Sequence, residues 1–139
     1  MSIEEEILNS SKTVAIVGVS AKEDRPSFTV AKYLKEHGYK IIPVNPTLKG
    51  EVLGEPVRPD LPSIPQKVDV VDIFRKPEEV LPVIEEAIKI GAKAVWMQEG
   101  IVNEEAAKRA RSAGLKVVMG KCMKKEHARL YGGQPQSPL

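Results

Sequence analysis

The stretch TVAIVGVSAKEDRPS, residues 13–27, decides the fold of this chain. It opens with a short continuous apolar run, which is typical of a strand that a parallel sheet buries on both faces. The run ends in a loop of small residues, Gly18-Val19-Ser20, and after a polar segment Ser27 is predicted to cap a helix. A strand, glycine loop and helix in this order receive phosphate groups, because loop amides and the positive helix terminus point at one place.

The composition limits the classes of protein to consider. With 139 residues the chain is long enough for one domain with its own core. A net charge of +2 is too small to indicate a nucleic acid or a membrane surface as partner. A single cysteine excludes an internal disulfide framework and fits a reducing compartment. The sequence shows no signal peptide and no apolar run of transmembrane length, so we expect a cytoplasmic protein.

Predicted strands and helices alternate along the rest of the chain. Further strands are predicted over residues 39–44, 68–74, 92–97 and 115–119, and helices over 2–9, 27–37, 77–90, 104–113 and 123–130. The proline-rich segment 47–67 is predicted to be a loop, with at most a short edge strand at 56–58. This alternation predicts an α/β fold, a Rossmann-like doubly wound parallel sheet of about five strands in three layers. We expect one domain over residues 1–131 and a disordered tail over 132–139.

The loops after the strands are the expected ligand site, because doubly wound sheets bind ligands at the carboxyl ends of their strands. A dinucleotide fingerprint is missing, since the loop at Gly18 has no G-x-G-x-x-G pattern and the second strand ends in Asn45-Pro46 rather than an acidic residue. A P-loop is missing too, since no glycine loop ends in Gly-Lys-Ser/Thr. His37 and His127 are expected at the surface, and with one cysteine they do not make a metal site.

Four blocks of sequence resemble a known family in the same order. They are VAIVGVSAKEDRPSFTVAKYLKEHGYKIIPVNP (14–46), VDVVDIFRKPEEV (68–80), IGAKAVWMQEGIVNEEAAKRARSAGLKVVM (90–119) and KCMKKEHARL (121–130). The family is that of the small stand-alone CoA-binding proteins, which are similar to the N-terminal domain of the succinyl-CoA synthetase alpha subunit. The resemblance covers nearly the whole chain and implies a Rossmann-like domain that holds coenzyme A (CoA) or an acyl-CoA.

The resemblance also implies which residues contact CoA. Those facing the diphosphate would be Gly18, Val19, Ser20 and Ala21, with Arg25, Pro26 and Ser27 beside them. Those meeting the adenosine part would be Val44, Asn45, Pro46 and Lys49. Those on the far side, toward the pantetheine, would be Phe74, Arg75, Met97, Gln98 and Glu99. Phe74 has an equally good interpretation as the last core residue of its strand.

Cys122 has two interpretations, and both stay open on sequence grounds. Free cysteines are often small buried hydrophobes. This one, however, follows the fifth strand at the ligand edge with Lys121, Lys124 and Lys125 around it, and nearby cations favour a reactive thiolate. The family usually has Cys-Pro here, whereas this chain has Cys122-Met123.

The expected function is therefore CoA binding without catalytic activity. The phosphorylated histidine of the synthetase belongs to a second domain, and no nucleophile–base pair is visible in this sequence. Two alternatives remain: a CoA-linked thiol–disulfide redox protein that uses Cys122, and a module that binds NADP or another phosphorylated nucleotide.

Overall fold

The computed structural model describes residues 1–132, so the predicted tail lies outside the described residues except for Gly132, which follows the last helix. In chain order the elements are α1 (Ile3–Ser10), β1 (Thr13–Val17), α2 (Pro26–Glu36), β2 (Lys40–Val44), β3 (Glu51–Val52), β4 (Glu55–Pro56), β5 (Val70–Ile73), a 3-10 turn (Pro77–Glu79), α3 (Val80–Lys89), β6 (Ala94–Met97), α4 (Glu104–Ser112), β7 (Lys116–Val118) and α5 (Met123–Tyr131).

The main sheet has five strands in the order β2-β1-β5-β6-β7, and every neighbouring pair is parallel. This confirms the predicted Rossmann-like α/β fold. From β1 the chain winds outward to β2, and from β5 it winds the other way to β6 and β7. The winding therefore reverses between β1 and β5, where a doubly wound sheet opens a crevice for ligands.

Helices cover both faces of the sheet, as the continuous apolar strands predict. One face packs against α1, α2 and α5, and its core includes Leu8, Leu34 and the fully buried Trp96. The other face packs against α3 and α4, with Ile84 and Ala107 among its buried residues. Three layers result, and both cores lie beneath the edge formed by the carboxyl ends of the strands.

The predicted N-cap residue is correct for α1 but not for α2. The amide of Glu5 donates to Oγ of Ser2 over 3.1 Å, so the predicted cap of α1 is present. The predicted cap of α2 is wrong: Arg25 is the N-cap residue, Pro26 begins the helix, and Ser27 lies inside the first turn. The proline ring fixes a helical φ and needs no amide partner at the first position, so the helix begins before Ser27.

The proline-rich segment contains a small hairpin that the sequence indicated only in part. Strands β3 and β4 pair antiparallel around Leu53 and Gly54, whose φ angles of 55° and 78° are both positive. A parallel bridge between Val44 and Arg58 attaches the following segment to the end of β2. The predicted short edge strand at 56–58 is thus shifted to Glu55–Pro56, outside the main sheet.

Helix α5 lies against α1 and α2 through a cluster of aromatic rings. His127 is at its centre and fully buried, so the prediction of a surface histidine is wrong. Its Nδ1 lies 2.9 Å from the hydroxyl of Tyr33, and its ring meets those of His37, Tyr39 and Tyr131 edge-on or tilted. Burial, and secondarily the nearby His37, lowers the pKa of His127 to about 4.

No helix within residues 1–132 is long and apolar enough to cross a membrane.

Candidate functional site

A cavity of about 300 Å³ lies at the point where the winding of the sheet reverses. Its walls come from the loop after β1, the start of α2 and the end of β5, namely Gly18, Ser20, Lys22, Arg25, Pro26, Ser27 and Phe74. The first amides of α2 have no acceptor within the helix, and the helix dipole adds partial positive charge there. We call this space the loop cavity. Its charge and amide donors suit an anion.

Ser27 fixes the shape of this loop. Its buried Oγ accepts a hydrogen bond of 2.9 Å from the amide of Ser20, and Oγ of Ser20 accepts one of 3.0 Å from the amide of Lys22. The loop is thereby tied to the first turn of α2, with Lys22 and Arg25 exposed at the cavity. Glu23 and Asp24 are exposed and do not line the cavity, so their charge lies outside it.

Gly18 is the one position of the loop where only glycine fits. Its φ is +86°, and a Cβ there would lie 2.3 Å from the carbonyl oxygen of Phe74 and 3.0 Å from Cδ of Arg75. The loops after β1 and β5 therefore cross in contact at this residue. Any side chain at this position would force the two loops apart.

A second, larger cavity of about 570 Å³ lies on the α3 side of the same crossing, and we call it the α3 cavity. It shares Gly18 with the loop cavity and is otherwise lined by Val17, Val44, Pro46, Pro59, Asp60, Arg75, Glu78, Glu79, Pro82, Val83 and Glu86. Apolar side chains and prolines form part of the wall of this cavity, and four carboxylates form another part. The surroundings suit a planar, partly polar group with hydrogen-bond donors.

Asn45 joins the loop after β2 to the loop after β1. Its Nδ2 donates to the carbonyl oxygen of Val19 over 2.9 Å, while its Oδ1 accepts from the amide and the hydroxyl of Thr47, each over 2.8 Å. These partners use the polar atoms of the side chain internally. The side chain of Asn45 thus positions the two loops that border the site.

Several residues that the resemblance assigns to ligand contact have side chains in the core. Val19, Val44 and Met97 are buried, and of these three only Val44 lines a cavity described above, the α3 cavity. Gln98 is buried as well, and its Oε1 accepts a hydrogen bond of 3.1 Å from the amide of Met123 at the start of α5. Its visible role is to hold the loop that carries Cys122.

The remaining assigned residues are accessible. Ala21, Pro46 and Lys49 are exposed, although neither Ala21 nor Lys49 lines a cavity described above. Glu99 is exposed and pairs with Lys125 through contacts of 3.0 and 3.1 Å. The structure therefore brings the assigned residues from β1, α2 and β5 together at one crevice and leaves Glu99 apart, on the β6 side of the edge.

Cys122 is half-buried and is the N-cap residue of α5. Its loop is tightly fixed: the indole Nε1 of Trp96 donates to the carbonyl oxygen of Lys121 over 2.8 Å, and Nζ of Lys121 lies 2.9 Å from Oε2 of Glu4. Lys125 is paired with Glu99. Two of the three lysines expected to activate the thiol are thus neutralised by carboxylates, which weakens the electrostatic argument for a reactive thiolate.

Asp72 is a residue that sequence reasoning passed over. It lies on the central strand β5, fully buried between Ile16 and Trp96, and neither carboxylate oxygen has a hydrogen-bond partner among residues 1–132. Burial raises the pKa of Asp72 well above its usual value. The available signal was an aspartate inside the otherwise apolar run 70–73. Its place on the strand is two residues before Phe74, beneath the loop cavity.

The described residues contain no cluster of three or more His, Cys, Asp or Glu side chains that could hold a metal ion.

Comparison with known sequences identifies the family. Residues 12–128 match the family described as CoA binding domain. The chain belongs to this family. An uncharacterized protein of Bacillus subtilis, YneT, is 42% identical over 123 residues, which are 88% of this chain and 90% of that protein.

Solved structures of similar proteins agree with this assignment. A hypothetical protein from Pyrococcus horikoshii has 46% sequence identity and a TM-score of 0.89, with 94% of this chain and 92% of that chain covered. The dinucleotide-forming acetyl-coenzyme A synthetase 1 of Candidatus Korarchaeum cryptofilum, in its apo form, has 31% identity and a TM-score of 0.71. That alignment covers 81% of this chain but only 26% of the synthetase. This CoA-binding-domain protein thus matches about a quarter of that enzyme.

Proposed function

We propose that this protein binds coenzyme A at the carboxyl edge of its sheet, with the diphosphate in the loop cavity. The observation that carries the proposal is the cavity itself: in a chain of the CoA-binding domain family, it lies at the reversal of the winding and at the start of α2. Lys22 and Arg25 supply positive charge, and Arg25 can hold a phosphate through two parallel hydrogen bonds.

The other parts of the ligand follow from this placement. We assign the adenosine to the α3 cavity, where Pro46 and Pro82 provide apolar walls and the carboxylates can accept hydrogen bonds from an amino group on the base. The pantetheine then leaves across the end of β5, past Phe74, toward Gln98, Glu99 and Cys122. Lys49, exposed on the loop after β2, is available for the ribose phosphate.

We propose further that the protein binds its ligand without transforming it and does so in the cytoplasm. Within residues 1–132 the crevice brings together no nucleophile with a hydrogen-bonded base. The single cysteine fits a reducing compartment.

NADP or another phosphorylated nucleotide is the alternative ligand, since the same cations could hold a ribose phosphate. The end of β2 speaks against NAD, because an NAD site uses an acidic side chain there for the ribose hydroxyls, whereas Asn45 directs its polar atoms to Val19 and Thr47. NADP needs a cation rather than a carboxylate for its ribose phosphate, so the choice of CoA over NADP rests on the family match.

Calorimetric titration of the purified protein with CoA, acetyl-CoA, NADP, ADP and ATP tests this proposal. We expect CoA to bind more tightly than NADP, ADP and ATP, because only CoA can use the diphosphate site and the pantetheine path together. Equal or tighter binding of NADP would show that the protein is a nucleotide-binding module instead.

A further inference from the structure

Arg75 differs from the other cations at the crevice because its charge is already paired. Nη2 of Arg75 lies 3.1 Å from Oε2 of Glu79, four residues later, and both side chains are partly exposed. Among the described residues, Lys22 and Arg25 make no ion pair. Arg75 is therefore paired with a carboxylate before any ligand binds, whereas Lys22 and Arg25 are not.

The stem of Arg75 lies at the crossing that joins the two cavities. Its Cδ is 3.0 Å from the position that a Cβ on Gly18 would take. Gly18 borders both cavities, whereas Arg75 lines only the α3 cavity. The stem thus lies beside the loop cavity while Glu79 holds the guanidinium group on the α3 side.

The α3 cavity has a strongly acidic rim, with Asp60, Glu78, Glu79 and Glu86 among its lining residues and Arg75 as its one cation. The proposed diphosphate lies on the other side of Gly18, in the loop cavity, so the guanidinium group of Arg75 has to leave Glu79 to reach it. Glu79 is the carboxylate that competes for the guanidinium group, since it is the only one of the four that forms an ion pair with Arg75.

We propose that Glu79 is a specificity-determining residue. It pairs with Arg75 in the unliganded protein and competes with ligand phosphate for the guanidinium group of Arg75. This inference rests on the proposed binding of CoA at the same crevice. A diphosphate carries more charge than one carboxylate and accepts two parallel hydrogen bonds from an arginine, so it displaces Glu79. A ligand with one weakly charged phosphate does so less well. Glu79 thereby lowers affinity for all anions and favours those with the most phosphate charge.

The test compares two neighbouring carboxylates. Glu79→Gln removes the competitor, and we expect the Kd for CoA to fall by about twofold, the size expected for release of one exposed i,i+4 ion pair. Glu78→Gln removes the same charge from the same rim, but Glu78 makes no ion pair with Arg75. It is the matched control, and we expect it to change the Kd less.

A double-mutant cycle identifies the route of the effect. Arg75→Ala should weaken CoA binding, and Glu79→Gln placed in that background should no longer tighten it, because the competed guanidinium group is gone. The gain from Glu79→Gln should also be larger for 4′-phosphopantetheine than for CoA. Thermal unfolding of each variant shows whether the fold is retained.

Each outcome bears on one claim. If the native protein binds CoA but Glu78→Gln tightens binding as much as Glu79→Gln, or if Glu79→Gln still tightens it without Arg75, the effect is general electrostatics and the inference is wrong. If neither the native protein nor any folded variant binds CoA, the proposed function itself fails and the inference falls with it.

Discussion

Arg25 is one of the two cationic residues that line the loop cavity, with Lys22. It occupies the N-cap of α2 without using its side chain there, and it lines the cavity from an exposed position. A guanidinium group at a helix start adds a mobile charge to the fixed amides of the first turn. We expect the guanidinium group of Arg25 to bind a ligand phosphate at the start of α2.

Arg25→Ala is therefore expected to weaken CoA binding by about 1.5–3 kcal/mol, the range for a hydrogen bond to a charged group. The free energy of unfolding should change little, because the side chain makes no cap hydrogen bond. Calorimetry at low salt measures the first and urea unfolding the second. An unchanged Kd would mean that Arg25 is only a solvated surface charge.

Cys122 is expected to form a mixed disulfide with CoA when the protein is incubated with CoA disulfide. The thiolate attacks one sulfur of the disulfide and releases one CoA thiolate, so no further oxidant is needed. The thiol lies at the N-cap of α5, on the side of the sheet edge toward which the proposed pantetheine path leads. Because Lys121 and Lys125 are paired with carboxylates, the expectation rests on this position and not on activation of the thiolate. Intact mass should show an adduct that dithiothreitol removes and Cys122→Ser prevents. Unmodified protein that still binds CoA would identify Cys122 as structural.

Asp72→Asn is expected to stabilise the protein more at pH 7 than at pH 4. Burial raises the pKa of Asp72, so the native state favours the protonated carboxyl. The contribution of Asp72 to the free energy of unfolding is complete below the pKa that Asp72 has in the unfolded chain. It is lost as pH rises toward the higher pKa that Asp72 has in the folded protein. The asparagine variant does not titrate and avoids this loss. Urea unfolding at both pH values measures the difference, and a variant that is equally destabilised at both would contradict the expectation.

At the scale of elements, helices α2 and α5 pack against each other, and both begin at the edge formed by the carboxyl ends of the strands. Helix α2 begins at the loop cavity, and α5 begins at Cys122. Their contact is made by aromatic rings around His127, whose Nε2 has no hydrogen-bond partner within residues 1–132. A charge on this imidazole would have to be accommodated in the core.

Acid should therefore loosen α5. Burial lowers the pKa of His127 to about 4, so the native state favours the neutral ring. The resulting stability is present above the unfolded pKa near 6.5 and is lost as pH falls toward 4, by about 3 kcal/mol. His127→Phe keeps a ring but cannot titrate, and its stability should fall less over this range. Parallel unfolding curves for the two proteins between pH 7 and pH 4 would show that His127 is not the group responsible.

The elements themselves were largely predictable, because each has a local cause. Apolar runs gave the strands, and glycines at 38, 91 and 114 ended the helices where a left-handed residue is needed. The burial of His127 was not predictable, because it depends on aromatic rings that α2 and the start of β2 bring from far along the chain. The helix start at Pro26 was decided by ring geometry against the capping preference of Ser27.

At the scale of the whole molecule, the sheet order places the site more firmly than any motif does. The loops after β1 and β5 begin at Gly18 and Phe74, 56 residues apart in sequence, yet they are in contact at Gly18. Sequence reasoning found the loop and the edge but not the two cavities, because the α3 cavity depends on residues 59–60 meeting α3 across the end of β1. It also assigned Val19 and Met97 to the ligand, whereas their side chains fill the core.

The most direct test of CoA binding at this crevice is the change in backbone amide chemical shifts when CoA is added to ¹⁵N-labelled protein. We predict the largest changes over residues 18–27 and 74–79, with little change in β7, at the other edge of the sheet from β2, and in α4, which packs against β7. Changes centred on α4 and β7, or none at saturating CoA, would contradict the proposed site.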